Sequence, residues 1–352
     1  MKPENEQLAQ ALSAALSKEL GGVVRVESLL RLTGGASRET WSFDATAPDG
    51  ARMPLILRKD FEGGALLNMS ALLGEGEGFD RAGEYALCRV LFQAKVPVPR
   101  PVCLPDPSTG LKSCYIMERI EGEGQPRRIL REDAYRGARE GMAATLGTVL
   151  ARLHALGPDA LPMLSVQTTQ AQLSICRRML DLGPGPRPIM ELALRWLGDR
   201  IPPPRSGPRL VHGDFRNGNF LVDEGGLRAI LDWETAHLGD PMEDLGFLCL
   251  KPWRFGNTHR DVGGFGPRAD LFRAYEAAGG GPVDPEIVRY WEVLGTLKWG
   301  AFCAIRATLH LNRIQRSVEG AAIGRRVAET EFDLMQLIEE KPEEKPEESH
   351  GG

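Results

Sequence analysis

Hydrophobic spacing divides the chain into a strand-rich beginning and a helix-rich remainder. Leucine at every fourth position over 8–20 predicts a short amphipathic helix that ends at the glycine pair 21–22. Strand-forming runs separated by turn signals then predict an antiparallel meander over 23–32, 39–45 and 54–58. The glycine-bearing stretch 60–79 predicts a mobile loop around a short helix. Helical spacing over 81–93 and a strand pair around the turn at 105–110 complete this part.

The chain changes character after residue 117. Residues 118–124 are polar and contain glycine, which predicts a hinge. Beyond them, helical periodicity predicts helices over 142–156, 171–182, 190–197, 267–278, 285–312 and 319–338. One strand-rich island at 210–233 interrupts them. The predicted organisation is α+β, with lobes at 1–117 and 125–338, a hinge at 118–124 and a disordered acidic tail at 339–352.

Composition and charge narrow the classes of protein. The 352 residues are 42% hydrophobic and carry a net charge of −5, which excludes a disulfide-stapled miniprotein and a disordered body. An acidic balance also argues against nucleic acid as a partner. The tail at 339–352 holds six Glu and two Lys, so the rest of the chain has a net charge of only −1. The overall charge therefore says nothing about a cationic substrate.

The six cysteines are scattered along the chain without a CxxC pair. This spacing supports neither a zinc site nor a redox motif, and we expect most of these thiols to be buried. No apolar run approaches the ~20 residues of a membrane span, and the first residues lack the apolar region of a signal peptide. We therefore expect a cytoplasmic protein that does not bind a membrane.

A short constellation around residue 214 carries the chemistry. The sequence His212-Gly213-Asp214 is followed by Asn219, a predicted hairpin and then Asp232. The hairpin brings Asp214, Asn219 and Asp232 to the same end, where their oxygens form a set that Mg²⁺ prefers. The order HxDxxxxN and then Asp is typical of protein-kinase active sites. There the first Asp orients or deprotonates the acceptor hydroxyl and the other two residues hold the metal, whereas His212 is predicted to brace the loop.

Further segments carry a resemblance to a known family. The chain resembles the aminoglycoside phosphotransferase and choline kinase family of small-molecule kinases, and within it the kinase-like domains fused to certain acyl-CoA dehydrogenases. The resemblance covers about 20–338 and lies in the segments 32–38, 55–59, 117–122, 153–154, 212–219, 230–234 and 239–245. It implies a bilobal protein-kinase-like fold with a small antiparallel β lobe that binds nucleotide and a larger helical lobe that is catalytic and binds substrate. It also implies an ATP- and Mg²⁺-dependent phosphotransferase acting on a small-molecule hydroxyl.

The resemblance also implies a nucleotide site in the first lobe. Gly34 and Gly35 would bring backbone N–H groups to a phosphate, with Ser37 as a side-chain donor; a plain hairpin turn is the alternative. Ile56 and Arg58 share a face of the third strand, so Ile56 would cover the adenine and Arg58 would reach the phosphates. Arginine replaces the usual lysine here, and Lys59 would substitute for it if the register differed by one. The cation would be paired with Glu84, unless that carboxylate lies on the surface. The hinge residues Met117, Glu118 and Ile120 would face the adenine edge.

Two residues of the second lobe have alternatives. Asp244 is predicted to anchor the catalytic loop. Arg216 would either neutralise charge on the transferred phosphoryl group or form a salt bridge within the loop.

The function and the acceptor also leave alternatives. The rivals to a kinase are a nucleotide-binding pseudokinase or scaffold, which the arginine at position 58 favours, and a metal-dependent hydrolase. The predicted helix from residue 285 carries Arg289, Lys298, Arg306 and Arg313, and so leans basic. This favours a neutral or anionic acceptor such as a hydroxyacyl thioester over an aminoglycoside or an amino alcohol, unless the cations form a solvated face. The sequence predicts no oligomeric state.

Overall fold

An antiparallel five-stranded sheet forms the first lobe. The computed structural model describes residues 3–32, 39–60, 80–183, 185–203 and 207–339. The strands are β1 (Arg25–Arg31), β2 (Glu39–Thr46), β3 (Arg52–Lys59), β4 (Pro101–Cys103) and β5 (Cys114–Glu118), in the order β1-β2-β3-β5-β4. Helix α1 (Pro3–Leu20) precedes the sheet and α2 (Arg81–Gln93) connects β3 to β4. The predicted meander and strand pair are thereby confirmed.

Alternating side chains build a small core on one face of this sheet. Phe43, Leu55 and Leu57 are buried there together with Leu12 and Leu16 of α1. The helix begins at Pro3, earlier than the leucine spacing predicts. The leucine spacing predicts only the part of the helix that packs on the sheet. The first turn carries Glu4 and Glu6, which suit a helix N-terminus but add nothing to the apolar spacing.

Helices dominate the second lobe. They are α3 (Pro126–Arg131), α4 (Arg136–His154), α5 (Thr169–Asp181), α6 (Pro188–Gly198), α7 (Met242–Leu248), α8 (Arg268–Ala277), α9 (Pro285–Leu311), α10 (Val318–Gly324) and α11 (Val327–Glu339). Two small antiparallel ladders interrupt them: β6 (Arg209–Val211) with β9 (His237–Gly239), and β7 (Phe220–Asp223) with β8 (Gly226–Ile230). The β7–β8 pair is the hairpin expected after residue 219.

The 27-residue helix α9 runs through the centre of this lobe. Asp284 caps it by accepting from the Glu286 N–H at 3.0 Å, and Pro285 occupies its first turn, as predicted. Helix α7 packs closely against it, since a Cβ added at Gly246 would lie 2.7 Å from the Val288 carbonyl oxygen. This contact positions α7, and with it Asp244, which binds the loop 212–219.

The single helix predicted over 319–338 is wrong. The chain forms α10 and α11 instead, with a break after Gly324, where an added Cβ would lie 2.6 Å from the Cβ of Ala307 on α9. Apolar residues of both helices face α9, so the apolar spacing in the sequence is that of a single long helix and does not show the break. The short elements α3, α7 and β9 also escaped prediction.

The larger core extends across the two lobes. Leu87, Cys88 and Leu91 of α2 pack with residues of the helical lobe. The larger core therefore includes residues on both sides of the boundary at 118–124. All six cysteines are free and buried, as expected. None of the helices in the described ranges is long and apolar enough to cross a membrane. The predicted loop, from residue 61 to 79, and the predicted tail, from 340 onward, lie outside the described residues.

Candidate active site

Asp244 on α7 fixes the backbone of the loop that contains Asp214. Its fully buried carboxylate accepts from the N–H of His212 at 2.8 Å and of Gly213 at 3.0 Å. The His154 Nε2 lies 3.2 Å from the same carboxylate. These bonds are the anchoring predicted for Asp244. They are charge-assisted and dry, which makes them strong.

His212 braces the loop from within. Its Nδ1 accepts from the Asp214 N–H at 3.2 Å, so its Nε2 donates to the Leu231 carbonyl at 3.0 Å. Gly213 follows it with φ +79°, and a Cβ there would lie 2.7 Å from the Thr235 carbonyl oxygen. The imidazole is fully buried and links the loop to the end of the β7–β8 hairpin, so the predicted bracing role is confirmed.

The Asp214 carboxylate is held by two neighbours. Asn219 Nδ2 donates to Asp214 Oδ2 at 2.7 Å and to its carbonyl at 2.9 Å, while Arg216 Nε donates to Asp214 Oδ1 at 2.8 Å. The Arg216 guanidinium lies 4.6 Å above the ring of Trp253. Of the two alternatives for Arg216, the structure therefore contains the salt bridge within the loop. About a quarter of each side chain is exposed, so Asp214 remains accessible.

Asp232 follows β8 with φ +67° and ψ +65°, a left-handed conformation that an aspartate adopts at some cost. Its Oδ1 accepts from Arg58 Nη2 at 2.9 Å. Burial opposes ionisation of Asp232, but the Arg58 guanidinium holds the pKa of that carboxyl below its usual range. The side-chain hydrogen bonds of Asn219 use its Nδ2 and that of Asp232 its Oδ1, so among the described residues Asn219 Oδ1 and Asp232 Oδ2 accept no hydrogen bond. Two such oxygens fit Mg²⁺ that is completed by phosphate and water.

Arg58 is the cation that reaches the cleft. In the antiparallel register Arg58 lies opposite Tyr115, and Lys59 is displaced by one residue and therefore faces the other side. The Arg58 Nε lies 3.7 Å from Glu84 Oε1, which also accepts from the Tyr115 hydroxyl at 2.9 Å. Glu84 is fully buried and is also paired with Arg81, so the surface alternative for this carboxylate is wrong.

The predicted hinge residues stand at the end of β5. Ile56 is nearly buried and pairs in register with Met117. The Glu118 N–H donates to the Arg100 carbonyl and the Arg119 N–H donates to the Pro54 carbonyl, each at 2.9 Å. In the described part of the chain nothing accepts from the Ile120 N–H. Of the three predicted hinge residues, Ile120 thus has an N–H that the protein leaves to a ligand or to water, a feature it shares with Glu121 and Gly122 in the described ranges. The predicted phosphate residues Gly34, Gly35 and Ser37 lie outside the described residues.

Sequence reasoning missed several residues around the site. Leu221 of β7 lies against the hinge, since a Cβ at Gly122 would be 3.3 Å from its Cβ. Trp253 supports Arg216, and Thr235 Oγ1 donates to the His212 carbonyl at 2.9 Å. For Leu221, its position two residues after Asn219 was an available signal. Trp253 and Thr235 depend on packing between distant segments, which leaves no local signal.

Arg289 and Lys298, two of the four basic residues predicted on this helix, bind other parts of the protein, whereas Arg313 lies beyond the end of α9 and is exposed. Arg289 is half-buried and donates to the Leu337 carbonyl at 2.7 Å and 3.1 Å. Lys298 donates to Gln172 Oε1 at 3.0 Å and to Glu243 Oε1 at 3.3 Å. The sequence predicted these cations but not their partners, which lie on α5 and α7 for Lys298 and on α11 for Arg289.

Comparisons with known proteins place this architecture. The profile of the phosphotransferase enzyme family matches residues 28–291. Human acyl-CoA dehydrogenase family member 11 is 28% identical over 263 residues, which cover 70% of this chain and 31% of that protein. The chain thus spans about a third of the length of this curated relative.

Solved structures share the fold over nearly the full chain. A candidate aminoglycoside phosphotransferase from Ralstonia eutropha JMP134 superimposes with a TM-score of 0.70 at 20% identity, covering 93% of this chain and 97% of its own. The aminoglycoside phosphotransferase APH(4)-Ia, in a ternary complex with AMP-PNP and hygromycin B, gives a TM-score of 0.57 at 15% identity, with coverage of 94% and 98%. The α+β fold with a five-stranded antiparallel sheet and a helical lobe is thus that of the kinase-like phosphotransferases.

Proposed function

Because this chain belongs to the phosphotransferase enzyme family, whose members include small-molecule kinases, we propose that it transfers the γ-phosphate of ATP to a small-molecule hydroxyl. Membership confirms the resemblance noted in the sequence. The observation that carries the proposal is the Asp214 carboxylate, fixed by Asn219 and Arg216 and left partly exposed in the cleft that Arg58 and Asp232 span. Phosphoryl transfer needs mainly this kind of positioning and charge.

Asp214 would accept the proton of the acceptor hydroxyl. The hydroxyl oxygen then forms a bond to the γ-phosphorus, the bond to the β–γ bridging oxygen breaks, and ADP leaves. Oδ1 of Asp214 accepts from Arg216 and Oδ2 accepts from Asn219, and each oxygen keeps a further lone pair that would receive the proton. As that proton moves, the Arg216 guanidinium is available to the charge on the transferred group.

Asn219 and Asp232 would hold Mg²⁺ through the two oxygens described above. The ion would supply charge neutralisation at the phosphates. Arg58 would bind the phosphates and is kept in place by Glu84. Ile56, Met117, Glu118 and Ile120 would surround the adenine, with Gly34, Gly35 and Ser37 at the phosphates. One structural relative is a complex with AMP-PNP and another a complex with GDP, which supports a nucleotide in this site, and ATP is the one we propose.

The test is the Asp214→Asn variant, which keeps the size of the side chain but cannot take a proton. We expect phosphoryl transfer to fall by about 10³-fold, within the range that general bases contribute, while ATP affinity stays within a few-fold. Asp223→Asn, at the end of β7 and outside the cluster, is the matched control. ADP release and calorimetric ATP binding are the two measurements. Undiminished transfer in the Asp214 variant would refute the assigned role.

A catalytically weak nucleotide-binding regulator is the second candidate. It is favoured by the Arg58–Asp232 ion pair, because the Arg58 guanidinium would compete with Mg²⁺ for that carboxylate. Mg²⁺-dependent ATP binding without transfer to any hydroxylated metabolite would support it. We also propose a cytoplasmic location. The acceptor we favour is neutral or anionic, a hydroxyacyl thioester among them, rather than an aminoglycoside or an amino alcohol.

A further inference from the structure

Lys298 lies midway along α9 and is only partly buried, with 28% of its side chain exposed. Its ammonium donates to Gln172 Oε1 at 3.0 Å and to Glu243 Oε1 at 3.3 Å. An ammonium has three N–H donors. In the described ranges only these two acceptors engage it, which leaves one N–H for a ligand.

The acceptors of Lys298 are themselves fixed. Glu243 is 2% exposed, and its Oε2 accepts from Gln172 Nε2 at 2.6 Å and lies 3.1 Å from His237 Nε2. Burial opposes ionisation of Glu243, but Lys298 and His237 hold the pKa of that carboxyl at about 2. Partial desolvation would lower the pKa of Lys298, but the Glu243 carboxylate raises it above its ordinary value. The ammonium therefore stays charged in a defined position.

This network continues into the catalytic loop. His237 Nδ1 lies 2.9 Å from the Thr235 carbonyl, and Thr235 Oγ1 donates to the His212 carbonyl at 2.9 Å. Lys298 and Asp214 are thus the two ends of one hydrogen-bonded framework. A second path links the two: Trp299, the neighbour of Lys298 on α9, packs against Trp253 at 4.9 Å between ring centroids, and Trp253 lies under the Arg216 guanidinium that holds Asp214.

We infer that Lys298 is a specificity-determining residue of the acceptor site, where it binds a carboxylate or phosphate of the molecule whose hydroxyl meets Asp214. This inference rests on the proposed function and deepens it by naming the charge of the acceptor. Arg216 pairs with Asp214, so the carboxylate next to the hydroxyl does not repel such a molecule. A cationic acceptor would be repelled by the same ammonium.

The experiment is a screen for ADP release with hydroxy acids and phosphorylated alcohols, each beside its matched amide or amino alcohol. We expect the anionic member of a set to be preferred. With the best anion, Lys298→Gln should raise the acceptor KM by about 10- to 100-fold with a smaller change in kcat, because one charge-assisted bond is lost. Lys298→Arg should restore most of the affinity, and the matched neutral acceptor should show no such KM change.

Controls keep the result interpretable. Lys112→Gln makes the same charge change at an exposed position of the first lobe and should leave the acceptor KM as it is. If Lys298→Gln does not fold, as judged by its melting temperature, the double variant Lys298→Gln with Glu243→Gln removes both charges together and is assayed in its place.

Preferred turnover of a neutral or cationic acceptor, or an anionic acceptor whose KM ignores Lys298, would overturn this inference and leave the kinase intact. Binding of ATP without turnover of any compound would overturn the proposed function and this inference with it.

Discussion

The two halves of the cleft are held together in different ways. The loop with Asp214 is fixed inside the helical lobe, where the Asp244 carboxylate binds backbone N–H groups. Arg58, in contrast, is held by side chains from both lobes, with Asp232 on one side and Glu84 on the other. The first arrangement is local to one rigid body. The second depends on how the sheet and the helical lobe lie relative to each other.

Because of this difference, we expect changes in one half of the cleft to affect the folding stability of the protein and changes in the other half to affect nucleotide binding. Disturbing the helical-lobe half should cost folding free energy, because its charges are buried and its bonds end on backbone. Disturbing the half that spans the lobes should instead change nucleotide affinity, since a small shift of the sheet already breaks a side-chain pair. The following changes test this contrast from the largest effect to the smallest.

Asp244→Ala should destabilise the protein most. It leaves two backbone N–H groups of the loop and the His154 ring without their acceptor in a dry site, at a cost of about 3–5 kcal/mol. Urea unfolding measures this loss. Asp244→Asn keeps the shape of the side chain and one acceptor oxygen, so the stability of this variant should lie between that of the wild type and that of Asp244→Ala. A loss below about 1 kcal/mol would show that the loop is held in some other way.

The loss of stability in Glu243→Gln should depend on pH. The pKa of Glu243 is about 2 in the folded protein against an ordinary 4.5, so its ionisation contributes stability that is present above pH 4.5 and is lost as the pH falls toward 2. The shift corresponds to about 3 kcal/mol. The stability gap between wild type and variant should therefore be largest near neutrality and narrow below pH 4.5. A gap that does not change with pH would contradict the buried pair.

Arg58→Met should lower kcat/KM for ATP by about 100-fold, because it removes the cation that β3 turns into the cleft. The melting temperature should change much less than in Asp244→Ala. Arg58→Lys keeps the charge and should retain most of the activity. Lys59→Met is the matched control one residue along β3. An equal loss in both variants would return Lys59 to consideration.

Tyr115→Phe should give the smallest change. It removes only the hydroxyl that donates to Glu84 at 2.9 Å, at a cost of about 1 kcal/mol, and loosens the support of Arg58. We expect a KM for ATP raised by a few-fold. Tyr85→Phe on the neighbouring helix is the control. A KM that stays at the wild-type value would mean that Glu84 needs no help in positioning Arg58.

Features encoded by neighbouring residues were predictable from the sequence. Helix α2 matches the predicted 81–93, since Asp80 caps its start and its apolar spacing is regular. The catalytic loop and its hairpin also follow from local spacing. The residue types in this segment determine both the turn and the side chains available for chemistry. The same local pattern therefore predicts the fold of the segment and its candidate function.

Features encoded by distant partners were not predictable. Lys298 and Glu243 are 55 residues apart, and only the packing of α7 on α9 brings their charges together. The strand β9 is three residues long and owes its existence to β6 rather than to its own pattern. In the same way, the choice between Arg58 and Lys59 needed the strand register, which the sequence left open by one residue.

The buried cysteines can be used as natural probes of local unfolding. Cys103 and Cys114 lie in the core beneath the sheet, whereas Cys88, Cys176, Cys249 and Cys303 belong to the larger core. A thiol that is shut away from water reacts with an alkylating reagent only when its surroundings open. Timed alkylation followed by peptide mass spectrometry would therefore show, on the unmodified sequence, whether the sheet detaches before the helices separate.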